Sequence, residues 1–162
     1  MGDERDDYDQ TMAACSADLT LELKRTLPSR APIVFAAFTD ANELAKWWGP
    51  RRFSVPSLDF QPRAGESYRI EMQPPDGDRF HLTGEFREVD PPVRLAFTFV
   101  WEPGDPDDLE TLVALSFRDI GEATEIALIQ GPFKTEARLA LHRDGWTDSL
   151  DKLERLLAAQ TA

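Results

Sequence analysis

The chain has 162 residues, a length that fits one domain able to bury most of its apolar surface without disulfide or metal staples. Its 18 basic and 30 acidic side chains leave a net charge of −12, which repels phosphate backbones and argues against nucleic acid as a partner. Cys15 is the only cysteine, so an internal disulfide or a thiolate metal set is excluded.

Residues 1–17 are polar, acidic and aperiodic, and the sequence predicts a disordered leader there, followed by a single domain over residues 18–160. The leader has no apolar h-region and no later run is long enough to span a membrane, so a cytoplasmic location is expected. Leu19, Leu21 and Leu23 alternate with Thr20, Glu22 and Lys24, the period of a strand with one buried face. The period then changes: Val34, Phe35 and Phe38 share one side of a short helix, with Ser29 as its expected N-cap and Pro32 in its first turn. Asp40 and Glu43 have capping-box spacing, which predicts a second short helix running to Trp47 or Trp48 and stopped by Gly49-Pro50.

Six strands are predicted next, at Phe53–Phe60, Ser67–Gln73, Phe80–Val89, Arg94–Trp101, Leu112–Asp119 and Thr124–Gln130, with Pro, Gly and Asp marking the turns. Alternation assigns Tyr68, Ile70 and Met72 to one face, as it does Phe80, Leu82 and Phe86, then Leu95, Phe97, Phe99 and Trp101, then Val113, Leu115 and Phe117. Arg69, Glu71, Thr83, Glu85 and Thr98 fall on the opposite face, and Gly84 marks an expected bend or bulge. The acidic loop Glu102–Glu110 lacks the oxygen spacing of a calcium loop and is read as a solvated turn. From Thr135 to about Ala159 the pattern is helical, with an interruption expected near Gly145. Trp146, Leu150, Leu153 and Leu157 form a stripe that only a sheet is large enough to cover. The fold class is therefore α+β, a helix-grip: a curved antiparallel sheet of about six to seven strands around a long C-terminal helix, with two short helices after strand 1.

Trp47-Trp48-Gly49-Pro50, the strand-turn-strand Asp59 to Arg69, Asp76-Gly77 with Gly84-Glu85-Phe86, Pro91-Pro92-Val93-Arg94-Leu95 and the terminal Gly145-Trp146 with Leu150 and Leu153 occur in that order. Together they resemble the activator-of-heat-shock-ATPase-homologue-like proteins of the START-like, birch-pollen-allergen-like superfamily. The turn Pro62-Arg63-Ala64-Gly65 departs from that family's usual Arg-Pro-Gly-Gly. The resemblance implies an apolar cavity between sheet and helix. In the superfamily such cavities bind lipids, sterols, polyketides or plant hormones, and a minority of members catalyse cyclisation or dehydration. It also implies a possible chaperone partner, since the eukaryotic namesake stimulates a chaperone ATPase with this domain as part of a longer protein.

Catalytic motifs are absent: there is no Gly-x-Ser-x-Gly elbow, phosphate-binding glycine loop or His-Glu-x-x-His, and no catalytic residue, metal or cofactor is assigned. His81 and His142 are read as surface or helix-end histidines without an orienting acid. Asp59, Glu71 and Glu85 are the strand carboxylates that would titrate if turned inward, but parity places Glu71 and Glu85 outside. The expected ligand-binding residues are Trp47, Tyr68, Met72, Phe86, Phe97, Phe99, Phe117, Trp146 and Leu150, with Tyr68, Trp101 and Trp146 as the polar groups of the cavity. The expected function is binding of a small apolar or amphipathic molecule by a monomer or homodimer. Two alternatives stand beside it: a cyclase- or dehydratase-type enzyme and a co-chaperone-like interaction module.

Overall fold

The computed structural model of the protein describes residues 19–161, and the leader read at residues 1–17 lies outside them. The leucine alternation becomes strand β1, Leu21–Leu27, fully buried at both ends. Helix α1 follows at Ala31–Thr39. Its N-cap is Arg30 rather than Ser29, and Arg30 makes no side-chain cap bond. The orphan N–H of Ala31 donates instead to the Asp119 carboxylate at 2.9 Å, 88 residues away in the chain. Ser29 is buried, and its carbonyl receives the Thr124 hydroxyl at 2.7 Å. Helix α2, Ala41–Leu44, has the predicted cap, with the Asp40 carboxylate accepting from Asn42 and Glu43 N–H at 2.9 and 3.1 Å.

Strands β2 (Leu58–Phe60), β3 (Ser67–Met72), β4 (Phe80–Asp90), β5 (Arg94–Glu102), β6 (Thr111–Ile120) and β7 (Ala123–Gly131) precede the long helix α3, Glu136–Thr161. All seven strands pair antiparallel in one sheet of order β1-β7-β6-β5-β4-β3-β2. The strand expected at Phe53–Phe60 is reduced to three residues plus an isolated Ser54–Gln73 bridge. Pro56 withholds a ladder N–H in the middle of that run, which accounts for the loss of pairing. The interruption expected near Gly145 does not occur, and α3 runs through it. One helical glycine costs about 1 kcal/mol relative to alanine. Each buried member of the stripe Trp146, Leu150, Leu153 and Leu157 contributes about 1.5–3 kcal/mol, so the glycine is carried.

The stripe on helix α3 belongs to one buried cluster with Tyr68, Met72, Phe97, Phe99, Leu115 and Phe117 of the sheet. Arg25 on β1 clips its far half, reaching Asp151 and Glu154 at 2.9 Å each. These pairs are partly exposed and are worth only a few tenths of a kcal/mol each. Among the described residues no helix is long and apolar enough to cross a membrane.

The bulge lies between Phe86 and Glu88 rather than at Gly84. Gly84 serves a close approach. The Tyr68 ring crosses over it, and the Tyr68 hydroxyl donates to the Thr98 carbonyl at 2.5 Å. The Thr98 hydroxyl in turn accepts the Glu85 N–H at 2.8 Å. Thr98, assigned by alternation to the polar face, is therefore buried.

Candidate functional site

Trp47 and Trp48 are adjacent but serve two regions. Trp47 is fully buried against Phe38, ring centroids 4.7 Å apart, and its indole N–H donates to the Ala37 carbonyl at 3.0 Å. Trp48 turns the other way, its ring 5.3 Å from that of Trp146 on α3. Beyond this pair the helix and sheet separate around a cavity of about 500 Å3. The rings of Trp48, Phe53, Phe80, Phe99, Trp101 and Trp146 form its walls, together with Met72. Several meet edge to face, as Phe80 and Trp101 do at 5.3 Å and Phe99 and Trp101 at 5.1 Å.

The segment from Trp48 to Phe53 covers one side. Gly49 has φ +94°, and a Cβ there would lie 3.1 Å from the Met72 methyl, so glycine allows both the backbone and the contact. Arg52 adopts φ +71°, an uncommon conformation for a residue with a side chain. Helix α3 holds this segment. The Asp148 carboxylate accepts the Arg51 N–H at 3.2 Å, and the Lys152 ammonium donates to the carbonyls of Trp48 and Pro50 at 3.4 and 3.2 Å. Burial pushes the Lys152 amine below its usual range, against the favourable charge of Asp148. Gly145 faces the segment without a side chain, its Cβ position 3.7 Å from the Pro50 ring. That missing side chain helps keep the space open.

His142 differs from the sequence expectation. It lies within α3, only 8% exposed, among the rings of Phe99, Trp101 and Phe133. Its Nδ1 is 2.7 Å from the Arg138 carbonyl, which can only accept, so Nδ1 carries the proton. Nε2 is then the lone pair that receives the Trp101 indole N–H at 2.9 Å. In this arrangement neither nitrogen is free to take a proton from a ligand. Burial holds the imidazole below the ordinary histidine range, opposed by the Arg138 carbonyl bond and the charge of Asp108.

The lowered pKa has a stability consequence. Below the unfolded value near 6.5, the unfolded chain binds a proton that the folded imidazole refuses. Stability should be fully present above about pH 6.5 and fall as the pH drops toward the depressed folded value. The melting temperature is expected to decline as the pH falls below about 6.5, and to decline less in His142→Gln. An equal decline in both proteins would refute the assignment.

The acidic loop reaches the same site. Arg138 pairs with Asp105 at 3.1 Å and Asp108 at 3.6 Å, so the loop is pinned to α3 rather than simply solvated. The Asp105 carboxyl is held low chiefly by the Asp107 backbone N–H, with Arg138 assisting. Asp144 and Asp148 also line the cavity. Among the described residues no group of His, Cys, Asp and Glu is placed to hold a metal ion.

Of the nine residues singled out in the sequence, Met72, Phe99 and Trp146 line this cavity. Tyr68, Phe86 and Phe97 surround a separate void of about 10 Å3, at the limit of holding one water, and belong to packed core. Trp47, Phe117 and Leu150 are buried away from the opening, with Phe117 against Phe35 and Phe38. Trp101 is on the wall, with its indole N–H turned to His142. Trp48, Phe53, Phe80, Arg138 and Asp148 are not among the nine, and His142 is read in the sequence as a surface or helix-end residue, because the loop, strand and helix that bring these side chains together are far apart in sequence. Asp59 pairs in register with Arg69, and Glu71 accepts from Ser57 at 3.0 Å, which holds its carboxyl low. Glu85 meets Arg87 at 3.4 Å, and none of these three lines the cavity. A further depression, about 590 Å3, lies over Tyr68, Gly84 and Thr98, and on its rim Arg69 pairs with Glu102 at 2.6 Å and Arg87 with Glu85 at 3.4 Å.

The model of the Activator of Hsp90 ATPase homolog 1-like protein family matches residues 30–158. Among solved structures, the AHSA1 protein from Silicibacter pomeroyi is 28% identical with a TM-score of 0.77, covering 87% of this chain and 99% of that one. A protein from Nitrosomonas europaea is 26% identical with a TM-score of 0.76, covering 90% and 98%. A Rhodobacter sphaeroides protein is also 26% identical with a TM-score of 0.76, covering 89% and 95%. No curated protein matches the chain. With most of its length matched and the helix-grip architecture in common, the chain belongs to the Activator of Hsp90 ATPase homolog 1-like protein family.

Proposed function

We propose that this chain is a binding module that holds a small apolar or amphipathic molecule between the Trp48–Phe53 segment and α3. The observation that carries the reading is the cavity itself. At about 500 Å3, walled by six aromatic side chains, it has the size and lining of a small-molecule site. Apolar burial supplies the driving force at about 25 cal/mol per Å2. The histidine on the wall has both nitrogens engaged, which weighs against the cyclase- or dehydratase-type reading. The interaction-module reading rests on family membership alone.

Trp48, Trp101 and Trp146 make the site its own reporter. The neutral probe N-phenyl-1-naphthylamine is expected to quench tryptophan emission saturably, with micromolar affinity, and to raise the melting temperature. Gly145→Leu, which projects a side chain into the space, is expected to abolish quenching while leaving the chain folded. Absence of saturable quenching in the unsubstituted protein would refute the reading.

A further inference from the structure

The cavity's polar groups are distributed asymmetrically. Two indole N–H donors on its wall are committed inward, Trp101 to His142 at 2.9 Å and Trp146 to the Gln130 carboxamide at 2.7 Å. Among the described residues Arg138 is the one cation that lines it, and both Asp105 and Asp108 already engage that guanidinium. Lys152 directs its ammonium at the carbonyls of Trp48 and Pro50 while also facing the charge of Asp148, which leaves Asp144, among the described residues, as the carboxylate without a facing cation on this wall. The wall's other polar side chains, Trp48 and Ser149, are uncharged, and His142 is held neutral. Carboxylates remain: Asp144 is exposed at the opening, and Asp148 is half-buried on the next turn of α3. The chain as a whole carries −12. An anionic head group would meet repulsion with few free donors, whereas an organic cation would meet π faces and carboxylates.

We infer that the site selects a positively charged organic ligand, an ammonium group carried on an apolar body, which lies against the aromatic walls while the charge sits toward Asp144 and Asp148. This rests on the binding-module reading above and adds the charge of the ligand to it. Because the two carboxylates are near solvent, the preference should weaken as ionic strength rises.

Three probes with one aromatic body and different charge test the inference: 2-naphthylmethyltrimethylammonium, 2-naphthylmethanol and 2-naphthoate, titrated against tryptophan emission at low and high salt. The ammonium is expected to bind about ten-fold more tightly than the carboxylate at low salt. In the chain carrying Asp144→Asn and Asp148→Asn, the ratio of ammonium to alcohol affinity is expected to fall several-fold. The asparagine at 148 keeps an oxygen for the Arg51 N–H. Carboxylate binding equal to or tighter than the ammonium, or an unchanged ratio in the double variant, would overturn charge selection while leaving the binding module intact. If none of the three binds while N-phenyl-1-naphthylamine does, charge selection falls and the binding module stands; if N-phenyl-1-naphthylamine also fails, both readings fall together.

Discussion

Gly84→Ala is expected to destabilise the protein by about 3–5 kcal/mol, far more than one methyl group ordinarily does. The added Cβ would lie 2.0 Å from the Thr98 carbonyl oxygen and 2.7 Å from both the Tyr68 ring and its hydroxyl. The first neighbour is backbone of the adjoining strand, so β4 and β5 must part, and the second is a ring packed between Phe86 and Phe97. Displacing the ring also removes the bond from the Tyr68 hydroxyl to Thr98, leaving a buried acceptor without its donor. Urea denaturation of the two proteins checks this. A loss below about 1 kcal/mol would mean that the strands separate easily and that the Tyr68 bridge is not a fixed part of the sheet. Burial keeps the Tyr68 hydroxyl protonated well beyond the usual phenol range, so the bridge should not respond to ordinary changes of pH.

Trp146→Ala is expected to cost about 3–4 kcal/mol, toward the lower part of the range for a buried tryptophan. Trp146 is 5% exposed, yet one side of it borders the cavity, so truncation enlarges an existing space instead of opening a wholly new one. Its polar contribution is separable. The indole N–H donates to Gln130, which is fully buried and itself donates to the Thr111 hydroxyl at 2.9 Å. Trp146→Phe keeps most of the apolar contact but orphans the Gln130 oxygen, and should cost about 1–3 kcal/mol. Chemical denaturation of both variants gives the two values. If Trp146→Phe were neutral, the hydrogen-bonded chain from α3 through β7 to β6 would be of no consequence, and packing alone would position the helix.

Period was sufficient to read most elements, because strands and helices bury faces at fixed intervals. The alternation of Tyr68, Ile70 and Met72, and of Leu95, Phe97 and Phe99, gives the inward faces of β3 and β5, and the Trp146 to Leu157 stripe gives the buried side of α3. The Asp40 cap was legible for the same reason, since its donors are two and three residues away. What escaped the sequence involves partners distant in the chain: the Asp119 carboxylate at the start of α1, the Thr98 backbone beneath Tyr68, and the Pro50 ring opposite Gly145. Inward parity marks a side chain as buried, but it does not say whether the volume it faces is filled. Phe97 and Phe99 share one face of one strand, yet Phe97 meets the packed rings of Tyr68 and Phe86 while Phe99 borders open space. That difference arises where α3 and the Trp48–Phe53 segment stand off from the sheet, held by Asp148 and Lys152 about a hundred residues from the loop they bind. The sequence by itself thus determined which apolar faces leave water, while the burial of Thr98 and His142 and the place where the packed elements fail to meet were decided by the tertiary structure alone, because a cavity belongs to no single element.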